Sequence, residues 1–167
     1  MEIITKEQRE MIFDDLIKYY RFCKKDRRNH IFNAICALKK YGKEAVSSKE
    51  IADAKLSFQR AKESYSYYCR MKIVALLLKQ NFNDFISQEE ESRAIADIIL
   101  HYEWRMETCS FHIQSSERAL SKIRQSNSID SPEVHELEKL LSADMMEYDS
   151  YSKRMNLAKI LRDEIRL

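Results

Sequence analysis

The chain has 167 residues, of which 34% are charged and 44% hydrophobic, a balance typical of one folded domain and not of a disordered chain. It contains one glycine and one proline, which argues against tight hairpins and phosphate-binding loops because both need glycine. Residues 1–86 hold 18 basic and 11 acidic residues, a net +7, whereas residues 87–167 hold 11 and 16, a net −5. A uniformly basic nucleic-acid-binding protein would not show this division.

The first two helices are predicted from their end signals. Thr5 and Gln8 have capping-box spacing at the start of the first helix, and Gly42 is its natural C-terminal stop. Ser47 and Glu50 form the same capping signal at the start of the second helix. Between these signals the apolar residues recur at steps of three and four, as a helix with one buried face requires.

The remaining two helices carry similar signals. The third is predicted to begin at Ser87, with Glu90 as its capping partner, and the fourth at Ser131, with Pro132 at the first helical position. The apolar stripe of the fourth helix, which includes Met145, is predicted to be buried. Because the joints between the helices are short, neighbouring helices should run antiparallel.

The two halves of the chain resemble one another faintly at an offset of 84 residues, which aligns Ser47 with Ser131 and Arg70 with Arg154. Two amphipathic helices of one composition also match this often when they are aligned by their caps. A duplicated helical hairpin and a chance likeness therefore both stay open. In either case we predict an all-α fold, an antiparallel bundle of four long helices that forms one domain over residues 1–167.

Patterns for catalysis and metal binding are missing from the sequence. The four histidines are scattered, and none lies at the Glu-x-x-His spacing of helical di-iron sites. The cysteines lie at apolar helical positions without a CxxC pair, and we predict reduced core residues of a cytoplasmic protein at Cys23, Cys36, Cys69 and Cys109. We expect no enzyme activity, no metal and no cofactor.

Residues 19–30, YYRFCKKDRRNH, place aromatic residues beside a basic run. This combination suits a nucleic-acid groove, but most of the basic residues fall outside the apolar stripe and are equally typical of a solvated helix face. A nucleic-acid interface needs basic residues from several elements on one surface. The alternative function is therefore electrostatic nucleic-acid binding by the basic residues of the first helix: Lys24, Lys25, Arg27, Arg28, Lys39 and Lys40.

Two groups of apolar residues are candidates for contact with a protein partner. The loop NFNDFIS carries Phe82 and Phe85, which either fold back over the end of the core or project as anchors for a partner. Ile12, Tyr19 and Phe22 form a second apolar line on the first helix, which indicates either burial on two sides or a face for association.

The predicted function is protein binding without catalysis, as an adaptor, inhibitor or regulator of a host or partner protein. The glycine-poor helical composition is typical of small bacterial and phage proteins that act by binding, although no family motif is recognised. The opposite charges of the two halves and the second apolar line favour a homodimer. The longest apolar run, residues 73–78, is far shorter than the ~20 residues of a membrane span, so no membrane location is expected.

Overall fold

The computed structural model describes residues 4–42, 47–125 and 131–165, and 93% of them are helical. Between α2 and α3 lies one turn of 3₁₀-helix, and no strand occurs in the described ranges. The predicted all-α fold of four long helices is confirmed, while parts of two predicted joints, residues 43–46 and 126–130, lie outside the described residues. The helices are α1 (Lys6–Tyr41), α2 (Ser48–Lys79), α3 (Gln88–Gln125) and α4 (Pro132–Ile165).

The predicted capping residues set the starts of the helices. Ser47 accepts a hydrogen bond from the backbone N–H of Glu50 at 3.3 Å, and the Glu50 carboxylate accepts one from the Ser47 N–H at 3.1 Å. Ser87 and Glu90 repeat this box at the start of α3, with bonds of 3.2 and 3.1 Å. The two predicted capping residues of α1 form a third box, with bonds of 2.9 and 3.2 Å. Each box satisfies N–H groups that the first helical turn leaves without an intrahelical partner.

The chain divides into two compact units, and both divisions fall inside a helix. Residues 9–94 form the N-terminal unit, which contains most of α1, all of α2 and the first turns of α3. Residues 1–8 and 95–167 form the C-terminal unit, which contains most of α3 and all of α4. The first unit has 18 basic and 12 acidic residues, a net +6, and the second has 11 and 15, a net −4.

In the N-terminal unit, α1 and α2 form an antiparallel hairpin. Lys79 at the end of α2 donates a hydrogen bond to Asp14 near the start of α1 at 2.7 Å, and the rings of Tyr20 and Tyr68 lie 6.2 Å apart. Asn81 follows α2 with a φ of 59°, a left-handed conformation that asparagine tolerates better than most residues. The buried side chains include Phe13, Leu16, Tyr20, Cys23, Met71, Val74 and Leu78.

In the C-terminal unit, α3 and α4 form the second antiparallel hairpin. Arg105 donates a hydrogen bond to the Tyr151 hydroxyl at 3.0 Å, and Arg124 donates one to Glu138 at 3.0 Å. No residue from 135 to 157 is fully buried. Of the apolar stripe in this part of α4, Leu137, Leu141 and Met155 are partly buried, whereas the predicted burial is wrong for Met145 and Tyr148, which are exposed. The buried side chains are Ile95, Ile98, Ile99, Tyr102, Cys109, Leu120, Val134, Ala158 and Leu161.

The cysteines divide between core and surface. Cys23 and Cys109 are buried, Cys69 is partly exposed and Cys36 is exposed, so the prediction of a core position is wrong for Cys36. Burial raises the pKa of the Cys23 and Cys109 thiols, which keeps them protonated and poorly nucleophilic near neutral pH.

Within the described residues, no helix combines the length and the apolar content that a membrane-spanning segment needs.

Glu90 joins the start of α3 to α2. Its carboxylate accepts two hydrogen bonds from the Arg70 guanidinium, at 2.6 and 2.9 Å, in addition to closing the capping box with Ser87. All of these bonds favour the ionised carboxylate. The side-chain bond from Arg70 is the main reason that the pKa of Glu90 is lowered from 4.5 to about 2.

We predict that Glu90→Gln lowers the melting temperature at pH 7 and that the difference from the unmodified protein shrinks as the pH falls from 4.5 toward about 2. A carboxylate whose pKa is lowered in the folded state stabilises the fold above its unfolded-state pKa, and this stabilisation is lost as the folded state becomes protonated. Thermal unfolding followed by circular dichroism across this pH range measures the difference. The control is Glu89→Gln, which also removes one acid from the first turn of α3 but breaks only an exposed ion pair with Arg93, and should have a smaller effect. A difference that stays constant with pH would contradict the prediction.

Candidate functional site

α3 and α4 carry more than half of the large apolar side chains that the described residues expose. Leu100, Trp104 and Phe111 are separated by four and seven residues, so they lie on one side of α3. Contiguous apolar surface on a folded protein usually marks a binding site, whereas single exposed apolar residues are normal. Seven of the thirteen such side chains belong to these two helices: Leu100, Trp104, Phe111, Leu140, Met145, Met146 and Tyr148.

Two grooves lie between α3 and α4, and we call them the methionine grooves. The first has a volume of about 630 Å³ and the second about 510 Å³. Methionine has a flexible, polarisable side chain that adapts to the shape of what it contacts. The apolar lining consists of Leu120, Leu141, Met145 and Met146 in the first groove, and of Met106, Phe111, Tyr148 and Met155 in the second.

Carboxylates outnumber cations at the borders of both methionine grooves. Each groove has two glutamates and one basic residue, in a unit whose net charge is −4. In the first groove the basic residue is already bound to one of the two glutamates. The charged border residues are Glu117, Glu138 and Arg124 in the first groove, and Glu103, Glu107 and Lys159 in the second.

A second candidate site lies on α1 and α2 in the N-terminal unit. No carboxylate in the described ranges pairs with any of its five basic side chains. These side chains surround a small cavity of about 150 Å³, and we call them the basic cluster: Arg21, Lys24, Lys25, Arg28 and Lys72.

The basic cluster contains three of the six residues that the sequence suggested for nucleic-acid binding. Arg27 lies outside it and forms an ion pair with Asp26 at 3.3 Å. Lys39 and Lys40 do not line the cavity, because they lie about three turns farther along α1. Sequence reasoning missed Arg21, although it shares a helix face with Lys25 and Arg28, and it missed Lys72, whose position depends on how α2 packs against α1.

The predicted partner-binding residues differ in their exposure. Phe82 is 52% and Phe85 71% exposed, and their rings meet edge to face with centroids 6.5 Å apart. Neither ring is buried over the end of the core, so a role as anchors stays a prediction. Ile12 is fully buried and cannot contribute to an exposed face, because α1 buries that side as well as its main stripe. Tyr19 is partly buried, whereas Phe22 is 67% exposed.

The two candidate sites differ in the surface that they present. Within the described ranges, no three histidine, cysteine, aspartate or glutamate side chains are grouped closely enough to hold a metal ion. The protonated thiols of Cys23 and Cys109 lie in the core and not in either groove. The methionine grooves present apolar surface with an acidic border, and the basic cluster presents positive charge.

We predict that Phe82→Ala lowers the free energy of unfolding by less than about 1.5 kcal/mol, since an exposed ring loses mainly its edge-to-face contact with Phe85. Phe13→Ala is the matched control and should cost about 3–5 kcal/mol, because Phe13 is 1% exposed and its loss leaves a cavity. Chemical denaturation of both variants measures the two values. A cost for Phe82→Ala equal to that of the control would place Phe82 in the core and end its candidacy as an anchor.

No protein-family model matches the chain, and comparison with curated proteins and with solved structures found no significant match.

Proposed function

We propose that the protein binds another protein without catalysis, and that the methionine grooves of α3 and α4 seat a basic amphipathic helix of that partner. The observation that carries this proposal is the pair of grooves lined by methionine and aromatic side chains along one hairpin. An amphipathic helix lays its apolar face into a groove of this kind, using residues at i, i+3 or i+4, and i+7 as anchors. Methionine-rich linings accept such helices because their side chains repack around different anchors.

The middle of α4 supports this assignment. From residue 135 to residue 157 no α4 side chain is buried, and Met146 is 73% exposed. Helical stability in proteins comes mostly from packing an apolar face and not from intrinsic propensity. A partner helix in the grooves would cover the apolar side chains that α4 exposes along this stretch.

The charges at the groove borders select the kind of helix. Two glutamates and one basic residue border each groove, so an approaching helix with lysine or arginine on its polar face meets complementary charge. An acidic helix with the same apolar pattern would meet like charges. The proposed partner segment is therefore basic as well as amphipathic.

A homodimer joined through the methionine grooves would compete for the same surface. Two copies joined through their methionine grooves would bring acidic borders together, which disfavours this pairing relative to a basic partner. We predict that the methionine grooves do not join two copies of the isolated protein at micromolar concentration. Multi-angle light scattering of the unmodified protein and of Met146→Gln tests this: a dimer that dissociates in the variant would assign the grooves to self-association.

We predict that a leucine–lysine peptide with helical amphipathic spacing binds the protein, and that a leucine–glutamate peptide of the same pattern binds more weakly. Phe111→Ala should weaken binding of the basic peptide by about tenfold or more, because a buried aromatic anchor contributes ~2 kcal/mol or more to an interface. Isothermal titration calorimetry measures these affinities.

Phe32→Ala is the matched control for this experiment. Phe32 is 65% exposed and Phe111 is 68% exposed, but Phe32 lies on α1 and lines neither groove. Phe32→Ala should leave peptide affinity unchanged. Equal binding of the two peptides, or equal effects of the two substitutions, would overturn the proposal.

A further inference from the structure

We infer that the basic cluster on α1 and α2 binds the phosphate backbone of single-stranded nucleic acid. This second site does not rest on the function proposed for the methionine grooves. It uses other residues, in the N-terminal unit, and its charge has the opposite sign. Five cations share one small cavity, and no described carboxylate pairs with any of them.

Five cations around one cavity create a positive local potential that attracts an anion. Elsewhere in the protein, cations near acids form ion pairs, as Lys79 does with Asp14 at 2.7 Å and Arg70 with Glu90 at 2.6 Å. The nearest acid in the sequence, Asp26, is engaged by Arg27 and His30. The cluster therefore keeps its charge available for an anion from outside the chain.

A comparison of Arg21 with Arg105 supports the inference that the basic cluster is available to an outside anion. At the 84-residue offset between the two hairpins, Arg21 aligns with Arg105, and Glu63 and Tyr67 align with Glu147 and Tyr151. Arg105 is bound by both of its aligned partners. Arg21 has no such pairing and faces the cavity of the basic cluster instead.

The size and walls of the cavity suit a phosphate group. A volume of about 150 Å³ admits one small anion and not a whole nucleotide. Two arginines can each offer forked N–H donors to phosphate oxygens, and the lysines add mobile point charges. The Lys24 ammonium lies 5.7 Å from the centroid of the Tyr65 ring, a cation–π contact that holds it beside the cavity.

Exposed aromatic rings extend the site along α1 and favour a single strand. Phe22 is 67% and Phe32 65% exposed, and ten residues of helix separate them by about 15 Å along the axis and about 80° around it. Phe32 shares a helix face with Arg21, Lys25 and Arg28, at intervals of four, three and four residues. Proteins that bind single strands combine a positive surface for the backbone with aromatic rings on which bases stack. Bases within a duplex are already stacked on one another, so a duplex could not use these rings.

The test is filter binding of a short oligothymidylate across a salt series. The unmodified protein should bind with an affinity that falls as salt rises. Arg21→Gln combined with Lys25→Gln should reduce the slope of log K against log salt by about 0.7, since the cavity holds one phosphate and each phosphate contact on a single strand contributes about 0.7. Lys139→Gln, an exposed lysine of α4, is the control and should leave the slope unchanged. Circular dichroism of each variant verifies that it folds.

A matched pair of substitutions tests whether a base stacks on Phe32. Phe32→Ala should weaken oligothymidylate binding by about five- to a hundredfold, the range expected for loss of one stacked base. Phe111→Ala, of nearly equal exposure, should not affect it. This pattern is the reverse of that expected for the amphipathic peptide, so the failure of one proposal is distinguishable from the failure of the other.

Binding of other anionic ligands distinguishes a site for a single-stranded backbone from a site for phosphate in general. Inorganic pyrophosphate, duplex DNA and phosphatidylserine vesicles should each bind more weakly than the oligothymidylate at equal phosphate concentration. Binding of pyrophosphate alone would make the cluster an isolated phosphate site, and preference for vesicles would make it a membrane-surface site; either result overturns the inference. No salt-dependent binding of the oligothymidylate at low salt overturns it as well.

Discussion

The position at which each helix begins is the constraint on which the rest of the structure depends. Three of the four helices start with a serine or threonine whose side chain accepts a hydrogen bond from the backbone N–H of a glutamate or glutamine three residues later. With one glycine in the chain, few other residues can stop or redirect a helix. The caps therefore fix the lengths of the joints, and the joint lengths fix how one helix of a hairpin lies against the next.

Helix starts were predictable from the sequence because their signals are local. A serine and a glutamate three residues apart each accept a hydrogen bond from the other's backbone N–H, so no distant residue is needed for the signal. Ser47, Ser87 and Pro132 all lie where predicted. Burial is different, because it depends on what covers a helix. The periodicity of α4 indicates an apolar stripe, and yet Met145 on that stripe is 56% exposed. Ile12 shows the opposite case, as a residue outside the main stripe of α1 that is fully buried.

The candidate sites could be predicted in part from the sequence for the same reason. Three members of the basic cluster lie within five residues of one another in α1, so their shared position could be anticipated, whereas Lys72 is brought there only by the packing of α2. The methionine grooves could not be anticipated, because each combines residues of two helices and their periodicity resembles that of a core. A stripe that packs against the chain's own core and one that packs against a partner have the same pattern in a sequence.

The single tryptophan gives the C-terminal unit a built-in optical reporter. Trp104 is 54% exposed on the same side of α3 as Phe111, and its ring lies 6.2 Å from the His101 ring and 6.0 Å from the Arg105 guanidinium. Indole emission shifts to shorter wavelength when water is excluded from the ring, and a nearby protonated imidazole quenches it. Because no other tryptophan contributes, the emission spectrum of the unlabelled protein reports the local state of this one face of α3.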